Sequence, residues 1–279
     1  MGIMISAKDV KRLRDLTGAG MMDCKRALTE SNGDLEAAID FLRKTGQKVS
    51  AKRADREAKE GVIVTAVSED GSAGAIAEVN CETDFVARND EFQTFANEIL
   101  AVVLADRPGN LDALKGATLP TGSTVQQALE LLTGRIGEKI DIRRFSVVDA
   151  TGSGRIIDYV HPGSRLGVLV NLSGNGNLEA VGRNVAMQVA AMNPVATNRS
   201  EVDTTLQEKE MEIAREVARN EGKPDDLVDR IATGKLERFF KDNVLVEQAF
   251  VKDASITVSE MLDQNGSEVH GFERFGLGA

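Results

Sequence analysis

The sequence predicts an α+β protein: a small N-terminal helical bundle, then two related α+β halves with antiparallel sheets, the second carrying an inserted antiparallel helical hairpin. Three observations predict this. Apolar residues recur at helical spacing in three short segments before residue 47, and β-branched runs replace them from Gly61 onward. A block of strand, strand, helix, helix, strand then occurs twice. Inside the second copy, two long charged helical patterns are joined by Glu221-Gly222-Lys223-Pro224, where Gly and then Pro stop a helix.

The 279 residues suffice for about two domains and a sizeable core. The net charge of −10 repels phosphates and argues against a nucleic-acid-binding protein. Residues 1–60 nevertheless carry 13 basic against 10 acidic residues, so the acidic excess lies beyond them and the first segment reads as a separate module. Cys24 and Cys81 are the only cysteines, which make neither a metal set nor a disulfide framework and suit a reducing compartment. No apolar run reaches membrane-spanning length and the start of the chain lacks an apolar signal core, so a cytoplasmic protein without membrane contact is expected.

Taken in order, Ser6 with Asp9 three residues on marks a helix start, and Val10 and Leu13 give its apolar face. The Gly18-Ala19-Gly20 turn leads to a second helix carrying Met22, Ala27 and Leu28. Met21 and Met22 are adjacent, so both cannot point inward; core and contact-surface readings stay open. Asn32-Gly33 stops this helix and Asp34 caps a third, with Leu35, Ala38, Ile39 and Leu42 on one face and Gly46 closing it. The bundle resembles a ubiquitin-associated fold. Lys48–Glu60 reads as a charged, partly helical linker; Asp55, Glu57 and Glu60 interrupt any basic RNA-binding patch there.

The first copy of the repeat opens with strands over Gly61–Val67 and Gly74–Val79. A helix from Asn89 or Asp90 follows, with Phe92, Phe95, Ala96, Ile99 and Val103 on one face. Two more helices, the second capped by Ser123 or Thr124, lead to a strand over Lys139–Val148. In the second copy Gly154-Arg155-Ile156-Ile157 and Gly167-Val168-Leu169-Val170 echo the first two strands, separated by a His161-Pro162-Gly163-Ser164 turn. Thr257-Val258 and Arg274-Phe275 echo Thr124-Val125 and Arg144-Phe145. Val202, Leu206, Ile213 and Val217 mark one seam of the inserted hairpin, and Leu227, Ile231, Leu236 and Phe239 the other. The expected boundaries are a module over 1–47, a linker over 48–60, a first core half over 61–149 and a second over 150–279 that includes the hairpin 200–243.

Catalytic constellations are missing. His161 and His270 show no zinc-site spacing, and nothing in the sequence places Cys81 beside His161 as a thiol–imidazole pair. Gly152-Ser153-Gly154 and Gly174-Asn175-Gly176 match neither the phosphate-loop nor the dinucleotide fingerprint. A binding role is expected, with no enzyme activity, cofactor, metal or small-molecule substrate.

The junction Val79-Asn80-Cys81-Glu82-Thr83-Asp84-Phe85-Val86 carries two readings. Thr83 caps a helical turn, Asp84 suits its positive end, and Phe85 either packs inward or projects as a wedge for a partner. The equivalent strand of the second copy runs into Val170-Asn171-Leu172-Ser173-Gly174, with no Asp-Phe turn, so the shared fold does not require Phe85 in a core.

Leu16 to Leu28 (LTGAGMMDCKRAL), followed by Asn32-Gly33-Asp34, closely resembles the N-terminal signature of the translation elongation factor Ts family. Glu78 to Ala87 (EVNCETDFVA) resembles that family's second signature, and the likeness continues through Ile136-Gly137-Glu138, Arg143-Arg144, His161, Arg165 to Val170, Gly271-Phe272 and Arg274-Phe275. The resemblance implies a guanine-nucleotide exchange factor acting in protein biosynthesis on the GTPase elongation factor Tu. Arg14, Met21 and Met22 match positions where the family's N-terminal module docks on the nucleotide-binding domain. Thr83, Asp84, Phe85 and Val86 match the turn that wedges beside the magnesium site and dislodges the ion and phosphate loop; that magnesium belongs to the partner. His161 matches a contact of the second half with the partner's other domains. With the resemblance added, Phe85 is expected to project outward. The other function class, a ubiquitin-associated-type adaptor without exchange activity, rests on the first bundle alone and leaves the Thr-Asp-Phe turn unexplained.

Overall fold

The computed structural model describes residues 5–278. The Ser6 side chain accepts from the Asp9 N–H and opens α1 (Ala7–Thr17), which Gly18 ends in the left-handed conformation at φ +63°. After α2 (Met21–Glu30), Asn32 and Gly33 turn the chain with positive φ, and Asp34 caps α3 (Leu35–Arg53) by accepting from the Ala37 N–H. Leu13, Cys24, Ala27, Leu28, Ala38 and Leu42 form the bundle's core.

Of the two readings left open for Met21 and Met22, exposure is the one found: they are 60% and 73% exposed, and Cys24 takes the inward position. One expectation is corrected: Gly46 does not close the third helix, which runs on to Arg53 through half of the expected linker. The reason is tertiary. A Cβ at Gly46 would stand 2.8 Å from the Glu130 backbone oxygen, so this glycine serves a close approach of two helices rather than a helix end.

β1 (Glu60–Val67) and β2 (Ala73–Cys81) follow, and β2 is buried along its whole length. Then come α4 (Asp84–Ala87), α5 (Asp90–Asp106), α6 (Leu111–Gly116), α7 (Val125–Ile136) and β3 (Ile140–Asp149). Asn89 caps α5, and Thr124 caps α7 through a reciprocal box with Gln127. The second block comprises β4 (Arg155–Val160), β5 (Leu166–Gly174), α8 (Leu178–Met192), α9 (Thr204–Asn220), α10 (Asp225–Asn243), β6 (Ala249–Phe250), β7 (Asp253–Thr257), α11 (Val258–Gln264) and β8 (Ser267–Gly276).

The α+β class stands. The sheet orders are β1-β2-β3 and β4-β5-β8, so each block places its second strand centrally and its last strand beside it. In the second sheet the pairing is antiparallel, with Val170 opposite Ile157 and Phe272. By compactness the chain forms two units. One comprises residues 5–64, Ala77–Phe145 and 277–278; the other comprises Thr65–Ile76 and Ser146–Gly276. In the second, Val168, Val170 and Leu172 of β5 share a core with Val181, Val185 and Val189 of α8 and with Val258, Met261 and Leu262 of α11.

The inserted hairpin is formed by α9 and α10, with Gly222 at φ +70° in the connection. Its first helix begins at Thr204, capped by Asp203, because Arg199–Glu201 is taken up by a separate 3-10 turn. The seam is also corrected. Ile213 and Leu227 are 44% and 39% exposed, whereas Ala214, Ala218, Val228 and Ala232 are buried. Small side chains let the two helices approach, and the larger ones flank the contact. At the hairpin base the Arg199 guanidinium lies 4.6 Å from the Phe240 ring centre and pairs with Glu237 and Glu247. The short β6–β7 pair has too few residues for alternation to announce it.

Candidate partner-docking site

β2 ends at Cys81, and two residues later the chain turns into α4. Thr83 is extended, at φ −127° and ψ 155°, and its hydroxyl accepts from the Val86 N–H at 3.4 Å. Asp84 stands in the first turn and pairs with Arg88 at 2.6 Å. Phe85 is 81% exposed, so the inward-packing reading fails: the buried apolar residue of this turn is Ala87. Val86 is half-buried.

Two glutamates hold the turn from behind. Glu138, just past α7, accepts from the Thr83 N–H at 3.0 Å and from the Thr83 hydroxyl at 2.8 Å. Gly137 precedes it in the left-handed conformation that ends α7, at φ +79°. Glu82 accepts from Arg53 at 3.0 Å, Arg56 at 2.9 Å and the Lys139 N–H at 2.6 Å. Desolvation pushes the Glu82 carboxyl up, but those donors outweigh it and hold the carboxyl at about 2. Lys139 Nζ donates to the Ala54 and Arg56 carbonyls, which secures the chain just beyond α3. The expected linker is therefore tied to the back of the turn.

Cys81 is fully buried and its thiol donates to the Thr83 carbonyl at 3.1 Å. Burial, followed by the charges of Glu138 and Glu60, pushes this thiol up to about 12. Such a thiol stays protonated and does not act as a nucleophile.

The same unit brings the helical module alongside. Gly18, Gly20 and Asp23, with Phe85, Val86, Asn89, Glu91, Arg135 and Ile136, line an open groove of about 520 Å³. Met21 and Met22, at the start of α2, are 60% and 73% exposed, and Leu16 is 61% exposed. Arg14 is exposed on the last turn of α1. In the other unit, His161 sits exposed in the turn between β4 and β5, with Gly163 and Ser164 at positive φ. Its Nδ1 lies 2.9 Å from the Tyr159 hydroxyl.

Sequence reasoning assigned no role to Glu82, Glu138, Arg53, Arg56, Arg135 or Lys139. In the sequence they are ordinary charged residues, because each acts across a large separation along the chain. Glu138, for instance, reaches Thr83 across 55 positions.

Large exposed apolar side chains gathered on a rigid polar frame are the physical signature of a protein-docking surface. The relatives of the chain supply the rest. The family described as Elongation factor TS matches residues 82–279. Elongation factor Ts of Chlorobium phaeobacteroides is 46% identical over 286 residues, covering 99% of each chain. That of Chloroherpeton thalassium is 46% identical over 285 residues and 98% of each chain. That of Cytophaga hutchinsonii is 46% identical over 277 residues, covering 98% of this chain and 99% of its own. The chain belongs to the elongation factor Ts family of translation elongation factors.

Proposed function

We propose that the protein is a guanine-nucleotide exchange factor that binds elongation factor Tu in the cytoplasm and promotes release of GDP. The observation that carries this reading is Phe85, 81% exposed at the tip of a turn that Glu138 and Glu82 anchor on its inner side. A phenyl ring left in water is costly, and a rigid frame behind it spares a docking event the entropy of ordering the turn.

In the proposed mechanism, Arg14, Met21 and Met22 dock on the partner's nucleotide-binding domain while Thr83, Asp84, Phe85 and Val86 press beside its magnesium site. The ion and phosphate loop are displaced, and GDP loses contacts that held it. His161 engages the partner's other domains. The factor supplies no bond-making group; its contribution is binding energy spent on the nucleotide-free state. Coupling is reciprocal, so a factor that weakens GDP binding is itself weakened equally by GDP. Each tenfold loosening of GDP requires about 1.4 kcal/mol of preferential binding to the nucleotide-free partner.

The test is release of fluorescent GDP from elongation factor Tu, with and without the protein. Acceleration supports the reading, and an unchanged release rate removes it.

A further inference from the structure

Unit one contains a second close-packed contact, which lies outside the proposed docking set of Arg14, Met21, Met22 and Thr83–Val86, although Gly18 and Arg135 border the groove beside Phe85. α3 crosses α7 glycine on glycine. A Cβ on Gly134 would lie 2.9 Å from the Gly46 Cα, and one on Gly46 would lie 2.8 Å from the Glu130 oxygen. Both obstacles are backbone, which has no rotamer with which to yield. The next residue along α7, Arg135, reaches the α1–α2 turn: it donates through Nη1 to the Thr17 carbonyl at 3.1 Å and pairs through Nη2 with Glu91 of α5 at 3.0 Å. Its Nε is buried without a hydrogen-bond partner, so the fork is held by its two terminal nitrogens. Gly18 makes room for it, since a Cβ there would stand 1.9 Å from Nη1.

These contacts join two exposed apolar elements. One bears Met21 and Met22, directly after the turn that Arg135 grips. The other bears Phe85, in the turn before α5, to whose first turn Arg135 is also bound through Glu91. We propose that the Gly46–Gly134 crossing and Arg135 are positioning residues that hold Met21–Met22 and Phe85 at one fixed spacing, so that both engage a protein partner in a single docking event. This inference rests on the exchange-factor reading for its partner. Its physical content is effective concentration: when one element binds, a rigid mount delivers the other already placed, whereas a loose mount presents it at only millimolar effective concentration. Loosening the mount therefore raises the half-saturating factor concentration by about tenfold or more and leaves the maximal exchange rate unchanged.

The experiment places spin labels at Lys25→Cys and Asn97→Cys, both exposed positions; the native Cys24 and Cys81 are fully buried and escape labelling. Distance distributions are measured in the full chain, alone and with Gly134→Ala or Arg135→Lys. Alanine favours a helix over glycine by about 1 kcal/mol, so Gly134→Ala strains the crossing without weakening α7 itself. Arg135→Lys keeps the charge and loses the two-pronged grip. A narrow distribution that broadens or shifts in the variants, together with the raised half-saturating concentration at an unchanged maximal rate, is expected. A distribution as broad without the substitutions as with them, or one that broadens with no change in half-saturation, overturns the proposal. Arg135→Lys decides the matter should Gly134→Ala fail to fold. If the protein shows no exchange at all, the functional reading fails, while the distances still judge the fixed spacing.

Discussion

Glu82→Gln keeps the shape of the side chain and removes the charge on which three donors converge. Those donors lie at 2.6–3.0 Å, and the Glu82 side chain is 18% exposed. The carboxyl sits at about 2 against an ordinary 4.5. At about 1.4 kcal/mol per pKa unit, the shift bounds the contribution at about 3 kcal/mol. Arg56 is 54% exposed, and solvent screening of that arm lowers the expectation to about 2 kcal/mol. Folding depresses this pKa, so the stabilisation is complete above the unfolded value of 4.5 and is lost as pH falls towards about 2. Urea unfolding of both proteins at pH 7 and near pH 2.5 measures the gap. The expected result is about 2 kcal/mol at pH 7, shrinking to a small fraction of that at the lower pH. Equal stability at pH 7, or the same gap at both values, refutes the reasoning.

Glu138→Gln leaves one amide oxygen to serve two donors on Thr83, so it is expected to cost about 1 kcal/mol in unfolding experiments and to slow exchange severalfold by loosening the turn. Gly137→Ala strains a residue at φ +79°, and a melting temperature lowered by several degrees is its expected signature. Cys81 is expected to resist a thiol reagent at pH 8 in the folded protein and to react after denaturation. Cys81→Ala should lower stability by about 1 kcal/mol and leave the maximal exchange rate intact, which a thiol-enzyme mechanism would not permit.

Much of the fold was legible because its signals are local. Ser6, Asp34, Asn89 and Thr124 each cap a helix, and each announces itself as a short polar residue before an apolar period. The duplication was legible because the same strand and helix patterns recur in order, and both sheets share one strand order. The errors fall where a distant contact outweighs local preference. Gly46 reads as a helix end until Gly134 is seen against it. Ile213 and Leu227 read as a seam, because helical period identifies a face without saying which of its members a close neighbour will cover. At the candidate site the sequence exposed Thr83, Asp84 and Phe85 but not what holds them. Glu82 and Glu138 are ordinary acidic residues until folding brings Arg53, Lys139 and Thr83 within hydrogen-bonding distance.

The most direct test of the central claim is GDP release from elongation factor Tu stimulated by the Phe85→Ala protein, read beside its thermal melt. An 81% exposed ring leaves no cavity when truncated, so stability should stay within about 0.5 kcal/mol of the unsubstituted chain. If Phe85 is the wedge, its loss should remove hot-spot binding energy of about 2 kcal/mol, and stimulated release should fall by more than tenfold. Undiminished exchange by a normally folded Phe85→Ala protein would contradict the account.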